Sequence, residues 1–516
     1  MTPGLAFFYG GMVHRKNIVA TLYQSMVAMG IVMVQWWFWG YSLTFAEGGS
    51  PVIGNLNYIM LINTSLLTST HPNAPTIPHY VYFIYQAFFA VITPALISGS
   101  LAERLKFRTY CVFLFCWSTL VYNFTAHWVW SPDGWLYKMG VLDLAGGFAV
   151  HMAAGFSGLA LSLCMKNRLN FHTSFKDVFK RRKNSGKSGE VIVSNSAPPS
   201  HGSRHTIAQA HSIPLIVLGT GLLWFGWMGF NGGSALRANA WAGLIMVNTN
   251  LAGAWAGIVW VIYDYIFKGR PTLVGFCCGA VCGLATVTPA AGYIYPGFAC
   301  ILGATASLFL YPLVRVKVNL VDDSLDAWSV HGMGGMYGCF FVGVFGARYV
   351  PLSTGDVAIN GGWWDGNFGQ LAVQLAGIGS VAGWSFFMTI ILFLALNWIP
   401  GLGWSVSDEE QEKGLDFVEH GEIGYIICHE NDLESETIDE NRGIAEWYRR
   451  RKSIRQGFMK KMKLVAKPPK KPKIKEVEEV KNGTELTDYS KNGHTSGNVY
   501  SEEIPSEQQE VTIDSQ

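Results

Sequence analysis

Two histidines sit in runs of residues otherwise fit for the inside of a membrane. His151 lies in DLAGGFAVHMAAGF and His331 in DAWSVHGMGGMYG, and each follows a carboxylate, Asp143 in the first and Asp326 in the second. An ionisable side chain among apolar neighbours is costly and by default marks function. An imidazole both donates and accepts a hydrogen bond, so two that meet suit a small polar guest or a proton in transit. The spacing leads us to expect one hydrogen-bonded unit made of both rings. A metal would need a third or fourth ligand, and no further His, Cys or carboxylate is spaced to supply one. Taken singly, either histidine reads as a hydrogen bond between packed helices; the matched pair favours a shared pore.

Other residues point to a positively charged guest. Asp143 precedes Ala145, Gly146 and Gly147, where a carboxylate caps the free N–H groups of a helix start. The same charge favours a cation nearby, and the two roles are compatible. Trp130, Phe89 and Phe230 offer aromatic faces, each worth roughly 0.5 to 2 kcal/mol to a cation, and Ser234 offers a hydroxyl to accept a hydrogen bond. In a chain that is 14% aromatic, such residues read on composition alone as core or lipid-facing.

The elements that must hold these residues are membrane spans. Of 516 residues, half are apolar and 14% charged, against about 25% charged in a soluble domain, so a soluble enzyme is excluded as a class. A net charge of +2, with the charged residues concentrated after residue 400, leaves no basic face for nucleic acid. Eight of nine cysteines lie in apolar runs, which implies no disulfide framework, and no cofactor is implied. A helical crossing takes about 20 mostly apolar residues. Ten runs qualify, near 17–45, 80–102, 107–127, 141–165, 213–231, 241–267, 272–288, 294–314, 328–346 and 371–399. The apolar stretch Met1 to Gly11 reads as the second half of a further span, with a start at an internal Met as the expected cause. Alternate loops hold Arg15 and Lys16; Arg104, Lys106 and Arg108; Lys180 to Lys183; Lys268 and Arg270; Arg315 and Lys317. Basic loops stay cytoplasmic, so the N-terminus is expected outside and the residues after 400 inside. That makes eleven crossings and places Asn63-Thr64-Ser65, a sequon, outside.

The chain also repeats itself. Phe8-Tyr9-Gly10-Gly11 with Arg15 and Asn17 recurs as Phe230-Asn231-Gly232-Gly233 with Arg237 and Asn239. Five spans separate the copies, and an odd number inverts the second half. The expected fold is therefore an all-α polytopic membrane protein of eleven spans, built as two inverted five-helix repeats plus span 11 and a cytoplasmic tail.

With these motifs in order, Asp143-Leu-Ala-Gly-Gly-Phe-Ala-Val-His151, Gly229-Phe-Asn-Gly-Gly-Ser234 and Asp326-Ala-Trp-Ser-Val-His331, the chain resembles the Amt/Mep/Rh ammonium transporter family, its fungal Mep branch in particular, from Met1 to about Tyr425. The resemblance implies ammonium and ammonia as cargo and a homotrimer in the plasma membrane with one pore per subunit. It implies that Phe89, Trp130 and Ser234 form an external recruitment site and that Phe89 with Phe230 forms a gate. By the same resemblance His151 and His331 are twin pore histidines, Trp227 lines the pore and Asp143 is a signature carboxylate; the internal repeat gives Asp326 as its counterpart in the second half. An ammonium sensor coupled to signalling, or a passive ammonia channel of the Rh kind, would share the pore motifs.

Residues 1–400 are expected to form the transport domain, 401–460 a cytoplasmic regulatory segment and 461–516 a disordered tail. The 166–211 loop, rich in Lys, Ser and Asn, also reads as disordered. Asp408 to Tyr425 resembles the family's ordered cytoplasmic segment that reaches toward a neighbouring subunit. Arg449-Arg450-Arg451-Lys452 before Ser453 has the form of a basophilic protein kinase site, or of a basic cluster near anionic lipid.

Overall fold

Long apolar runs with no water to satisfy their backbone have one local solution, the helix. The computed structural model of the chain, which describes residues 1–64, 70–165, 167–168, 210–317, 321–353 and 359–425, shows that solution throughout. In chain order the main helical segments are α1 (Thr2–Met12), α2 (Arg15–Phe45), α3 (His79–Leu101), α4 (107–130), α5 (Gly147–Cys164), α6 (Ile213–Ala235), α7 (Ala240–Lys268), α8 (Leu273–Val287), α9 (Pro296–Lys317), α10 (328–345) and α11 (Gly369–Trp398). Among the described residues seven of these, α2, α3, α5, α6, α7, α9 and α11, are long and apolar enough to cross a membrane, and α8 is a shorter apolar helix. The protein is an all-α multi-pass membrane protein. A small hairpin, β1 (Thr70–His71) against β2 (Ala74–Pro78), lies between α2 and α3.

Helix limits fall within a few residues of those read from the sequence, with one instructive difference. The fifth span, expected from 141, becomes helical only at Gly147. Residues 142–146 are buried yet not helical: Gly146 takes φ +109°, a left-handed conformation that L side chains rarely adopt. Buried backbone outside a helix needs partners, and α11 supplies them. Gln374 accepts from the Leu142 N–H at 2.8 Å and donates to the Leu142 carbonyl at 2.9 Å. Gln370 donates to the Gly140 carbonyl at 2.9 Å, and Leu144 N–H donates to the Pro289 carbonyl at 3.1 Å.

The helices that carry the two histidines pack backbone to backbone. A Cβ placed on Gly155 of α5 would lie 2.2 Å from the Gly332 nitrogen of α10, closer than any side chain permits. This crossing, one turn beyond His151 and directly after His331, sets the distance between the imidazoles. Both histidines sit in π-turns at their helix starts, Gly147–Met152 and Trp328–Met333, a local widening frequent at functional positions.

After α11 the chain folds back over the ends of α2 and α4. Leu105 pairs with Ser405 in an antiparallel bridge, and a short helix, Asp408–Lys413, starts with a reciprocal cap between Ser407 and Glu410. The Asp416 carboxylate accepts from Ala20 N–H at 2.8 Å and Glu419 from Phe107 N–H at 3.1 Å, so two tail carboxylates supply caps for the first turns of two long helices. Most of the 166–211 loop, Ser65 of the sequon, the 449–452 cluster, Ser453 and the 461–516 segment lie outside the described residues.

Candidate functional site

The starts of α5 and α10 build the centre of the site. Asp143 directs one carboxylate oxygen at the N–H groups of Gly146 (2.8 Å) and Gly147 (2.6 Å) and the other at Phe148 (2.8 Å) and Ala149 (3.4 Å). Four orphan donors of a buried helix start are thereby satisfied. At the start of α10 the same work is done by Asp323, which accepts from Ala327 N–H at 3.1 Å, Trp328 N–H at 3.0 Å and Ser100 Oγ at 2.7 Å. Asp326 instead takes φ +61° and binds the Lys317 ammonium at 2.5 Å.

From these starts His151 and His331 project into one cavity. Their rings lie nearly parallel, 15° apart, with centroids 5.2 Å from each other. The rings are not hydrogen-bonded to one another, which corrects the expectation of a bonded pair. Both nitrogens of His151 and Nδ1 of His331 are buried and meet no protein partner among the described residues, and both residues line the cavity. Its walls are Ile92, Leu96, Val150, Leu223 and Val281, with Trp227 and Phe230. Buried polar atoms without partners are rare and mark function or a missing guest.

An aromatic column leads away from this pair. Trp227 stacks on His151 at 5.7 Å and turns its N–H away, to Thr288 Oγ1 at 3.0 Å. Phe230 lies 6.4 Å from His151 and 4.2 Å from Phe89, and the edge of Phe89 meets Trp130 at 5.4 Å. Phe89 and Phe230 are both buried while Trp130 and Ser234 are half-buried, so the column opens to the surface at Trp130. The Trp130 N–H donates to the Asp143 carbonyl at 3.0 Å, tying the indole to the segment that starts α5. Ser234 Oγ donates to the Phe230 carbonyl at 2.9 Å and lies 3.0 Å from the Tyr85 hydroxyl. The two phenyl rings are buried in contact with each other, Trp130 touches one of them, and Ser234 is bonded to the backbone of the other.

A profile of the Ammonium Transporter Family matches residues 1–187 and 191–425. Ammonium transporter 1 of Schizosaccharomyces pombe is 38% identical over 434 residues, 84% of this chain and 80% of that protein. Ammonium transporter MEP2 of Saccharomyces cerevisiae is 36% identical over 431 residues, 82% of this chain and 80% of its own. The crystal structure of Saccharomyces cerevisiae Mep2 superposes with a TM-score of 0.69 at 35% identity, covering 79% of this chain and 84% of that one. The chain belongs to the ammonium transporter family. It is a transporter of ammonium, not an enzyme.

In this transporter the residues singled out from the sequence, Phe89, Trp130, Asp143, His151, Trp227, Phe230, Ser234 and His331, form one connected group. Ser453 lies outside the described residues, and Asp326 stands apart in the ion pair with Lys317. Four contributors escaped the sequence reading. Asp323 precedes His331 by eight residues, as Asp143 precedes His151, so counting back from each histidine would have found it. Tyr85 lies one helical turn before Phe89, on the same face. Gln370 and Gln374, also one turn apart, stand out in an otherwise apolar α11.

Proposed function

We propose that this protein takes up ammonium across the plasma membrane by binding the cation at Trp130, Phe89 and Ser234, stripping one proton and conducting ammonia past Phe230, Trp227, His151 and His331. The observation that carries this reading is the unbroken column from the half-buried Trp130 to the two imidazoles, walled by apolar side chains. Ammonium and potassium ions are of similar size, so a sieve cannot separate them. A dry pore can: a fully desolvated ion costs many kcal/mol, and only ammonium escapes that cost by giving up a proton. The unpartnered ring nitrogens of His151 and His331 are the polar groups available to ammonia on its way.

In this reading the chain crosses the membrane eleven times, with its N-terminus outside, residues after 400 in the cytoplasm and three copies assembled as a homotrimer. Residues 1–400 form the transport domain, 401–460 the regulatory segment, and Ser453 the position where a kinase would add charge. Comparing Ser453→Ala with Ser453→Asp at equal surface expression tests the last point: the two should differ in uptake, and equal uptake would remove Ser453 from regulation.

The decisive experiment for the pore is voltage-clamp current and labelled methylammonium uptake in cells expressing the full chain. Ammonium should saturate uptake while potassium neither competes nor carries current. Equal passage of both ions would overturn the mechanism.

A further inference from the structure

The carboxylates that start α5 and α10 match in position, and both accept N–H groups of a helix start, four for Asp143 and two for Asp323, but they differ in charge pairing. Asp143 is surrounded by backbone donors and has no Lys, Arg or His in ion-pair contact among the described residues. Asp323 is paired with Lys317 at 2.9 Å, both side chains buried, and the same ammonium reaches Asp326 at 2.5 Å. Beside them Asp322 is held by Arg104 and Arg168, and Arg168 also binds Glu103 at 3.0 Å. The surplus negative charge of this cluster rests on Asp326, 34% exposed, where water screens it. One end of the pore therefore keeps a bare buried negative charge, and the other has its equivalent charge cancelled by a buried cation.

We propose that Lys317 makes the transporter electrostatically asymmetric: by cancelling Asp323 at the inner end, while Asp143 stays uncancelled at the outer end, it lets ammonium be gathered outside at low concentration and released inside without being held. The inference rests on the transport reading and the orientation given above. Lys317 touches no cargo; it acts through Asp323 and is a positioning residue. A passive pathway cannot prefer a direction at equilibrium. Without voltage or pH difference, the asymmetry must therefore enter half-saturation and maximal rate together, leaving their ratio the same from both faces.

Labelled methylammonium uptake into right-side-out and inside-out membrane vesicles, at equal pH and zero voltage, reads the two faces separately. The unmodified protein should show a half-saturation constant several-fold higher in inside-out vesicles. Lys317→Met should lower the inside-out constant by about three- to tenfold, the scale of one unit charge at a partly solvated site, and lower the inside-out maximal rate by a like factor. It should leave the right-side-out constant in place, and Lys317→Arg should behave as the unmodified protein. Equal constants from both faces of the unmodified protein would overturn the proposal even if Lys317→Met fails to fold. So would a Lys317→Met variant that transports with an unchanged inside-out constant. Loss of saturable uptake from both faces of the unmodified protein would instead overturn the transport reading beneath it.

Discussion

Three side chains of the group are anchored by hydrogen bonds to protein groups. Trp130 turns its N–H to the Asp143 carbonyl, Trp227 its own to Thr288, and Ser234 its hydroxyl to the Phe230 carbonyl, leaving ring faces and a lone pair toward the path. Trp130→Leu removes an aromatic face worth about 1 to 2 kcal/mol to a partly desolvated cation, so half-saturation for ammonium should rise by roughly five- to thirtyfold, measured as concentration-dependent uptake. Unchanged kinetics for ammonium and methylammonium would remove Trp130 from the site. His151 and His331 stack on each other at one end of this group. His151→Ala or His331→Ala should abolish selective uptake or admit potassium as a leak, read as potassium current. Normal ammonium transport in both variants, without added potassium current, would contradict the pore role of the pair.

At the scale of elements, the site exists because two helices start inside the protein rather than at its surface. That arrangement leaves residues 142–146 as buried, non-helical chain, and α11 answers Leu142 with Gln374 and the preceding Gly140 with Gln370. Gln374→Leu would strand the N–H and the carbonyl of Leu142, at about 1 to 3 kcal/mol for each group. The expected result is a lower thermal midpoint of the detergent-solubilised protein together with weaker ammonium uptake, since the Asp143 segment and the Trp130 indole bonded to it lose their support. A midpoint equal to that of the unmodified protein would show the segment to be held by other contacts. The fragility has a local cause: an irregular stretch in a membrane has no water to fall back on.

At the scale of the whole molecule, the segment after α11 caps α2 and α4 and thereby ties the far end of the chain to its beginning. His420 packs between Tyr23 and Phe107, with ring centroids at 5.0 and 4.8 Å. Burial pushes its pKa down, with Glu422 opposing. A depressed value means the docked state binds the proton less readily than the free segment. Docking is therefore firm above the ordinary histidine value of about 6.5 and loosens as pH falls from there through the depressed value. Asp416 and Glu419 are pushed up by burial, so their contribution has the opposite sign: it is full below the ordinary carboxylate range, about 4, and is lost as pH rises through their raised values. Hydrogen-exchange protection of residues 408–425, taken relative to the intrinsic exchange rate at each pH, should be lower at pH 6 than at pH 7.5, and His420→Phe should remove the histidine's part of the difference. The same pH dependence in His420→Phe would exclude His420 as its source, since Asp416 and Glu419 act in the opposite direction.

Much of this was legible in the order of residues. Apolar run lengths place most of the helices to within a few residues, because only a helix satisfies a backbone in hydrocarbon. The Asp-to-His spacing picks out residues that the structure brings into one group, because ionisable groups in such runs are costly and by default mark function. The Phe, Trp and Ser positions follow from resemblance to the ammonium transporters rather than from spacing. What only the tertiary structure decided depends on contacts between residues far apart in the chain. Gly155 meeting Gly332 determines that two imidazoles face each other unbonded with their nitrogens free. Gln374 rather than solvent satisfies Leu142, so the fifth helix starts at Gly147 and not at 141. Lys317 on Asp323, with nothing comparable on Asp143, makes two equivalent carboxylates electrically different. Local sequence carries the covalent and hydrophobic constraints on each element; charge balance and hydrogen-bond partnership belong to pairs, and the fold alone chooses the pairs.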